Sequence, residues 1–164
     1  MPPAPLDPLP EALLQLYARP LFTLSLDVSQ VLLVGQTPTT DRRVGIVSGG
    51  RFAGERLSGR VLDGGSDWQS ARSDGSTLLD VRLHLQADDG ALIIMTYRGV
   101  RHGPPEVMAK IARGEAVDPD SYYFRINPMF ETAAPQYDWL NRILAVGLGH
   151  RLPTGPVYNL FEVL

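Results

Sequence analysis

The chain has no cysteine and a single lysine among its 164 residues. The first absence excludes a disulfide framework, a thiolate metal site and a cysteine nucleophile. The second leaves arginine as nearly all of the positive charge. No apolar run approaches the length of a membrane-spanning helix, and the amino terminus lacks a basic patch followed by an apolar core. Neither a membrane partner nor a signal peptide is expected, and the location expected is cytoplasmic. Charge of one sign is also missing: the formal net charge is only -3, with arginines scattered along the chain. That is a poor footprint for nucleic-acid binding.

Glycine and proline are abundant instead. Average usage would supply roughly 20 of the two together, and the chain has 16 Gly and 14 Pro. With 44% apolar residues, disorder is excluded as the overall state. The length suits one domain. Residues 1–10 hold five of the prolines and read as a flexible leader, with residues 11–164 as a single domain.

Residues 11–19 (EALLQLYAR) suit a short helix ended by Pro20. From Leu21 onward the period is two: Phe22, Leu24, Leu26 and Val28 alternate with polar residues. Val44 and Ile46 start a second pattern, broken at Gly49-Gly50, and residues 52–62 form another segment. The clearest strand is residues 79–86. Leu79, Val81, Leu83 and Leu85 share one face, and Asp80, Arg82, His84 and Gln86 share the other. Asp88-Asp89-Gly90 is a hairpin signal, with residues 91–98 as the return strand. A short helix is expected over residues 104–114, covering an opening or an edge of the sheet. Residues 121–126 resume as strand, and Pro128 and Pro135 bracket a loop. Residues 139–148 fit either helix or strand: Ile143, Leu144, Val146 and Leu148 suit a strand, and Gly147 and Gly149 count against a helix. Residues 157–164 supply the final strand. Seven glycines between Gly45 and Gly65 mark bends in or beside strands. The sum is a mainly all-β fold: a single antiparallel β-barrel of about eight strands with one or two short helices.

Several segments in order carry a resemblance: Gly49-Gly50-x-Phe52-x-Gly54, Gly59, Gly64-Gly65-x-Asp67-Trp68, Asp89-Gly90, Tyr122-Tyr123-Phe124-Arg125, Phe130-Glu131 and Tyr137-x-Trp139-Leu140. Together they resemble the bacterial and fungal family known as domain of unknown function 3237, over roughly residues 19–164. The resemblance implies a calycin-like antiparallel barrel, often a homodimer, and it implies no settled activity.

Asp67 and Glu131 are the candidate proton-transfer residues. Asp67 would lie at the mouth of a cavity, with Trp68 excluding water and raising its pKa. Glu131 would take the opposite role if both reach one cavity. The plainer alternatives are a turn-capping Asp67 with Trp68 plugging a barrel end, and a structural Arg125–Glu131 ion pair. The face Asp80, Arg82, His84 either faces solvent or lines a ligand cavity. In the second case Arg98 (with Thr96), Tyr123 and Arg125 add to an anion-binding lining suited to a carboxylate or enolate. The three histidines show no metal-binding spacing, and no Gly-x-Ser-x-Gly or phosphate loop occurs in the right setting. No metal and no cofactor are expected. These features suggest a barrel binding a small oxygenated metabolite, either for cofactor-independent acid–base chemistry (isomerase, cyclase or hydrolase) or as a non-catalytic carrier or sensor.

Overall fold

A strand with one buried face alternates apolar and polar side chains, and most of the chain is organised this way. The structure is a computed structural model that describes residues 8–164. Its nine strands are β1 (Ala18–Gln36), β2 (Asp41–Ala53), β3 (Ser58–Val61), β4 (Gly65–Ala71), β5 (Thr77–Ala87), β6 (Leu92–His102), β7 (Tyr123–Glu131), β8 (Leu144–Leu152) and β9 (Gly155–Val163). All pair antiparallel, around a ring β1-β9-β8-β7-β6-β5 that closes through β2 back onto β1. β3 and β4 lie end to end between β2 and β5: each pairs with both neighbours at a different height. The two make one stave, so nine strands form an eight-staved barrel, a size whose interior side chains can fill. The break between them sits at Gly64, whose φ of 101° favours glycine. Its N–H donates to Asp63 Oδ1 at 2.8 Å.

Leu79, Val81, Leu83 and Leu85 point inward and are at most 3% exposed. Burial of each contributes roughly 1.5–3 kcal/mol. Across the ladder β6 turns Ile93, Met95 and Tyr97 onto the same interior.

The two ends differ. At one, Phe22 packs against Phe52 and Phe130 with ring centroids 5.2 and 5.8 Å away. A 3₁₀ segment, Pro135–Arg142, inserts the buried Leu140 there. The other end carries the β1–β2, β4–β5 and β8–β9 turns and the β6–β7 connection. That connection contains helix α1 (Pro105–Ala112), whose Ile111 is buried while Val107 and Met108 pack against the core. No helix among the described residues is long and apolar enough to cross a membrane.

Four local expectations are corrected. Residues 11–19 form only a 3₁₀ turn, Glu11–Leu13, before β1 begins at Ala18; none of the turn is buried, so no packing supports a longer helix. Gly49-Gly50 does not interrupt β2, which runs through to Ala53. Asp67 and Trp68 belong to a strand, β4, rather than to a turn. Pro128 lies inside β7, opposite Tyr97, not in a loop. The proline-rich leader falls largely on residues 1–7, outside the described residues.

Candidate functional site

The barrel interior turns polar toward the α1 end. On β6 the inward positions run Ile93, Met95, Tyr97, Gly99, Arg101, so alternation that began apolar finishes by burying a guanidinium. On β4 the same alternation turns Asp67 inward, opposite Gly45 of β2 and Val81 of β5. β8 contributes Arg151, and β9 contributes Tyr158. Gly149 makes room for these walls. A Cβ there would lie 2.8 Å from the Phe124 ring and 2.9 Å from that of Tyr158.

Asp67 is 8% exposed and Arg101 9%. Gln69 donates from Nε2 to Asp67 Oδ2 at 2.8 Å, whereas Asp67 Oδ1 and Arg101 Nε have no hydrogen-bond partner. Asp67, Gln69, Arg101, Arg151 and Tyr158 line a cavity of about 20 Å³, walled by Val28, Val31, Leu79, Phe124 and Pro156 among others. That volume holds about one water molecule. Behind the cavity the Tyr97 hydroxyl donates to the Tyr158 hydroxyl at 3.1 Å. At the seam between β7 and β8, the Tyr122 hydroxyl accepts the Arg151 N–H at 2.7 Å and meets His150 Nδ1 at 2.9 Å.

Burial sets the electrostatics. It pushes Asp67 up to about 6, against the Gln69 hydrogen bond and the charges of Arg101 and Arg151, with Asp80 adding slightly to the rise. Burial, and then the Asp67 charge, raise Tyr158, so its phenol keeps its proton. Tyr97 is raised further by the same desolvation. Burial lowers Arg101. The result is one carboxyl poised near neutrality, two guanidiniums and two protonated phenols in a nearly dry space. Among the described residues no three His, Asp or Glu side chains gather as metal ligands would.

The sequence candidates are distributed differently from expectation. Only Asp67 reaches this interior. Trp68, its neighbour on the strand, faces outward and is 52% exposed, because adjacent strand residues point to opposite faces. Asp67 is therefore kept dry by Leu79, Phe124 and Tyr158, not by Trp68. Asp80, Arg82 and His84 also face outward, since the leucine face of β5 fills the barrel. Glu131 is exposed at the far end of β7, at the plugged end of the barrel, and does not share a cavity with Asp67. Arg98, Tyr123 and Arg125 are likewise exposed on the outer wall. Five candidates do meet, but outside the barrel: Trp68, Asp80, Arg98, Tyr123 and Arg125 border an open groove of about 590 Å³. There Arg98 lies 3.9 Å from Asp80, and Arg125 lies 4.9 Å from the Tyr123 ring centre.

Arg101, Arg151, Tyr97 and Tyr158 were not among the sequence candidates. For Tyr97 and Arg101 the available signal is the β6 alternation itself, continued two steps past Tyr97. A buried arginine contradicts the usual exposure of charge, so the pattern is easily cut short before it.

The chain matches the family model described as "Protein of unknown function (DUF3237)" over residues 17–163. A UPF0311 protein of Rhodopseudomonas palustris is 38% identical over 144 residues, covering 88% of this chain and 94% of that protein. The crystal structure of the R. palustris conserved protein of unknown function superimposes with a TM-score of 0.89, over 92% of this chain and 99% of its own. A beta-barrel like protein of Acinetobacter baumannii is 39% identical with a TM-score of 0.80, over 92% and 97% of the two chains. An enzyme of Penicillium herquei, 21% identical, shares the fold at a TM-score of 0.69 over 91% and 95%. The chain belongs to the DUF3237 family.

Proposed function

We propose that the interior cavity at the α1 end binds a small oxygenated organic molecule and moves a proton on it without a cofactor. The carrying observation is Asp67: a buried carboxyl with one oxygen unpartnered, raised to about 6 and facing two guanidiniums. A general acid or base works best with a pKa near the working pH. Oδ1 takes a proton from a carbon beside a carbonyl. The electron pair moves onto the carbonyl oxygen, and Arg101 and Arg151 balance the charge that develops there. Tyr158 accepts its hydrogen bond from Tyr97, which leaves its own proton free for the same oxygen. Return of the proton to the same carbon gives exchange or inversion there, and return to a neighbouring atom of the enolate gives isomerisation. Where the carbonyl is conjugated to a C=C bond, Asp67 instead takes the proton of a substrate hydroxyl. The oxygen adds to the far carbon as the C=C pair moves toward the carbonyl, and the proton returns to the near carbon, closing a ring. The exposed Glu131 has no part in this chemistry, which needs only the one carboxyl.

The test is proton exchange in D₂O, followed by ¹H NMR over a panel of enolisable ketones and keto acids. The protein is expected to accelerate exchange of at least one compound, with a rate that rises through about pH 6 as Asp67 ionises. Asp67→Asn is expected to lose about a hundred-fold or more. Equal exchange by that variant overturns the reading. Binding without exchange in the unaltered protein favours a carrier barrel.

A further inference from the structure

We infer that the interior site takes an organic monocarboxylate, its head group held between the Arg101 and Arg151 guanidiniums; this rests on the reading that the Asp67 cavity is the working site.

The charge count points that way. Two guanidiniums and one carboxylate line the cavity. Arg101 is buried with Nε unpartnered, and neither Arg101 nor Arg151 enters any ion pair found among the described residues. The Arg101 guanidinium lies over the Phe124 ring, 5.3 Å from its centre. Asp67 acts on Arg101 across the cavity without forming an ion pair with it. A buried guanidinium lacking a paired anion is costly, and a planar carboxylate matches its fork. Asp67 limits the charge of the guest: a dianion would meet a second negative group, whereas a monoanion binds beside a protonated Asp67 without repulsion.

The wall indicates where the rest of the molecule goes. About 20 Å³ admits part of a head group and no body. Gly45, Asp67, Gln69, Leu79, Arg101 and Tyr158 are paired on both edges of their strands, whereas Val28 and Val31, with Arg151 and Pro156, are held from one edge. β1 leaves β9 after Ser25, holds a last long contact from Val28 N–H to Thr154 O at 3.4 Å, and continues paired with β2 alone. Register shifts interrupt that pairing on both sides of Val28. An apolar body is admitted by displacing this arm and lies against Val28 and Val31.

The groups facing Asp67 are Gln69 on its own strand, Arg101, Arg151, Tyr97 and Tyr158 from the other walls, with Asp80 on the outer face of β5. Only Asp67 among them is raised into the range near neutrality, so carboxylate affinity should follow its protonation.

The experiment titrates the whole protein with benzoate, benzamide and inorganic phosphate at about pH 5 and about pH 8, read by ¹H–¹⁵N NMR. Benzoate remains ionised at both. It is expected to bind about ten-fold tighter than benzamide and than phosphate, to bind tighter at the lower pH, and to shift amides of Arg101, Arg151 and residues 28–36. Arg101→Met and Arg151→Gln are each expected to weaken it about ten-fold, and Asp67→Asn to flatten the pH dependence. Arg151 is only half-buried, so its variant carries the test if Arg101→Met does not fold. Equal affinity for benzamide, tighter binding of phosphate, unaltered binding in the arginine variants, or no benzoate binding overturns the inference. Benzoate binding with no proton exchange on any compound overturns the acid–base reading and leaves this one standing. Exchange without benzoate binding does the reverse.

Discussion

Asp67 costs the fold stability above the pH at which it ionises. Its carboxyl is raised from 3.8 to about 6, so between those values the folded chain holds a proton that the unfolded chain has released. Stability therefore falls as pH rises through that window and stays lower above it; the difference is about 3 kcal/mol at most. Asp67→Asn removes the ionisable group and is expected to raise Tm at about pH 8, with the gain vanishing near about pH 4. Thermal unfolding followed by circular dichroism at both values checks it, and a variant less stable at the higher pH would contradict the assignment. Gly149→Ala tests the opposite kind of residue. The added methyl would press on the Phe124 and Tyr158 rings at 2.8 and 2.9 Å. Overpacking of this sort costs about 1–3 kcal/mol, read as a lowered denaturation midpoint. Asp67 is legible as chemistry in the sequence, but its place on a strand is not, because Gly64-Gly65 before it reads as a turn. Arg101 was not legible, because nothing local distinguishes an arginine that continues an inward alternation from one that ends it.

At the scale of elements, legibility followed burial. β5 stands out because one face is packed in the barrel and the other wet, so its period is clean. β6, whose outer face carries the exposed Leu92 and Ile94, is legible as the return strand of the Asp89-Gly90 hairpin. The inward sense of β5 was left open by its sequence and is set by volume: four apolar side chains fill the lumen where Asp80, Arg82 and His84 could not. β3 and β4 were obscured because one stave is split into two short pieces joined at a positive-φ glycine. The far half of β1 is held from one side. Residues 29–36 have β2 on one edge only, and Leu33 at 76% exposure and Val34 at 61% have no core to join. Their amides on the free edge are expected to exchange with D₂O far faster than those of Leu24 or Leu83, which lie in doubly paired strands. Slow exchange along the whole arm would mean that its free edge is paired in solution. The plug behaves oppositely. Leu140, 1% exposed, is the buried residue of the 3₁₀ segment. Leu140→Ala is expected to cost about 2–5 kcal/mol in chemical denaturation.

The barrel as a whole is closed by its first and last strands. Residues 18–25 of β1 pair with residues 157–163 of β9, and without that seam the sheet would be open at both edges. One side chain ties the seam to its surroundings. Glu162 of β9, buried, accepts hydrogen bonds from Arg19 Nε of β1 at 2.9 Å and from Arg56 Nη2 in the β2–β3 connection. Arg56 in turn lies 4.0 Å over the Trp139 ring of the plugging segment. The Arg19 hydrogen bond first, and then Arg56, hold the Glu162 carboxyl below its ordinary value of 4.5. A carboxyl depressed in the folded state stabilises above its unfolded pKa, and the contribution is lost as pH falls through the folded value. Glu162→Gln keeps the shape and removes the charge. At neutral pH it is expected to lower Tm by about 5 °C, and the gap to the unaltered protein should close as pH drops below the usual carboxylate range. Asp80→Asn is the control. Its pairing with Arg98 is 3.9 Å long between exposed side chains, where an ion pair contributes little. A Tm lowered equally by both changes would show that the seam draws nothing special from Glu162. A Glu162→Gln deficit that persists unchanged into acid would trace it to packing instead of charge.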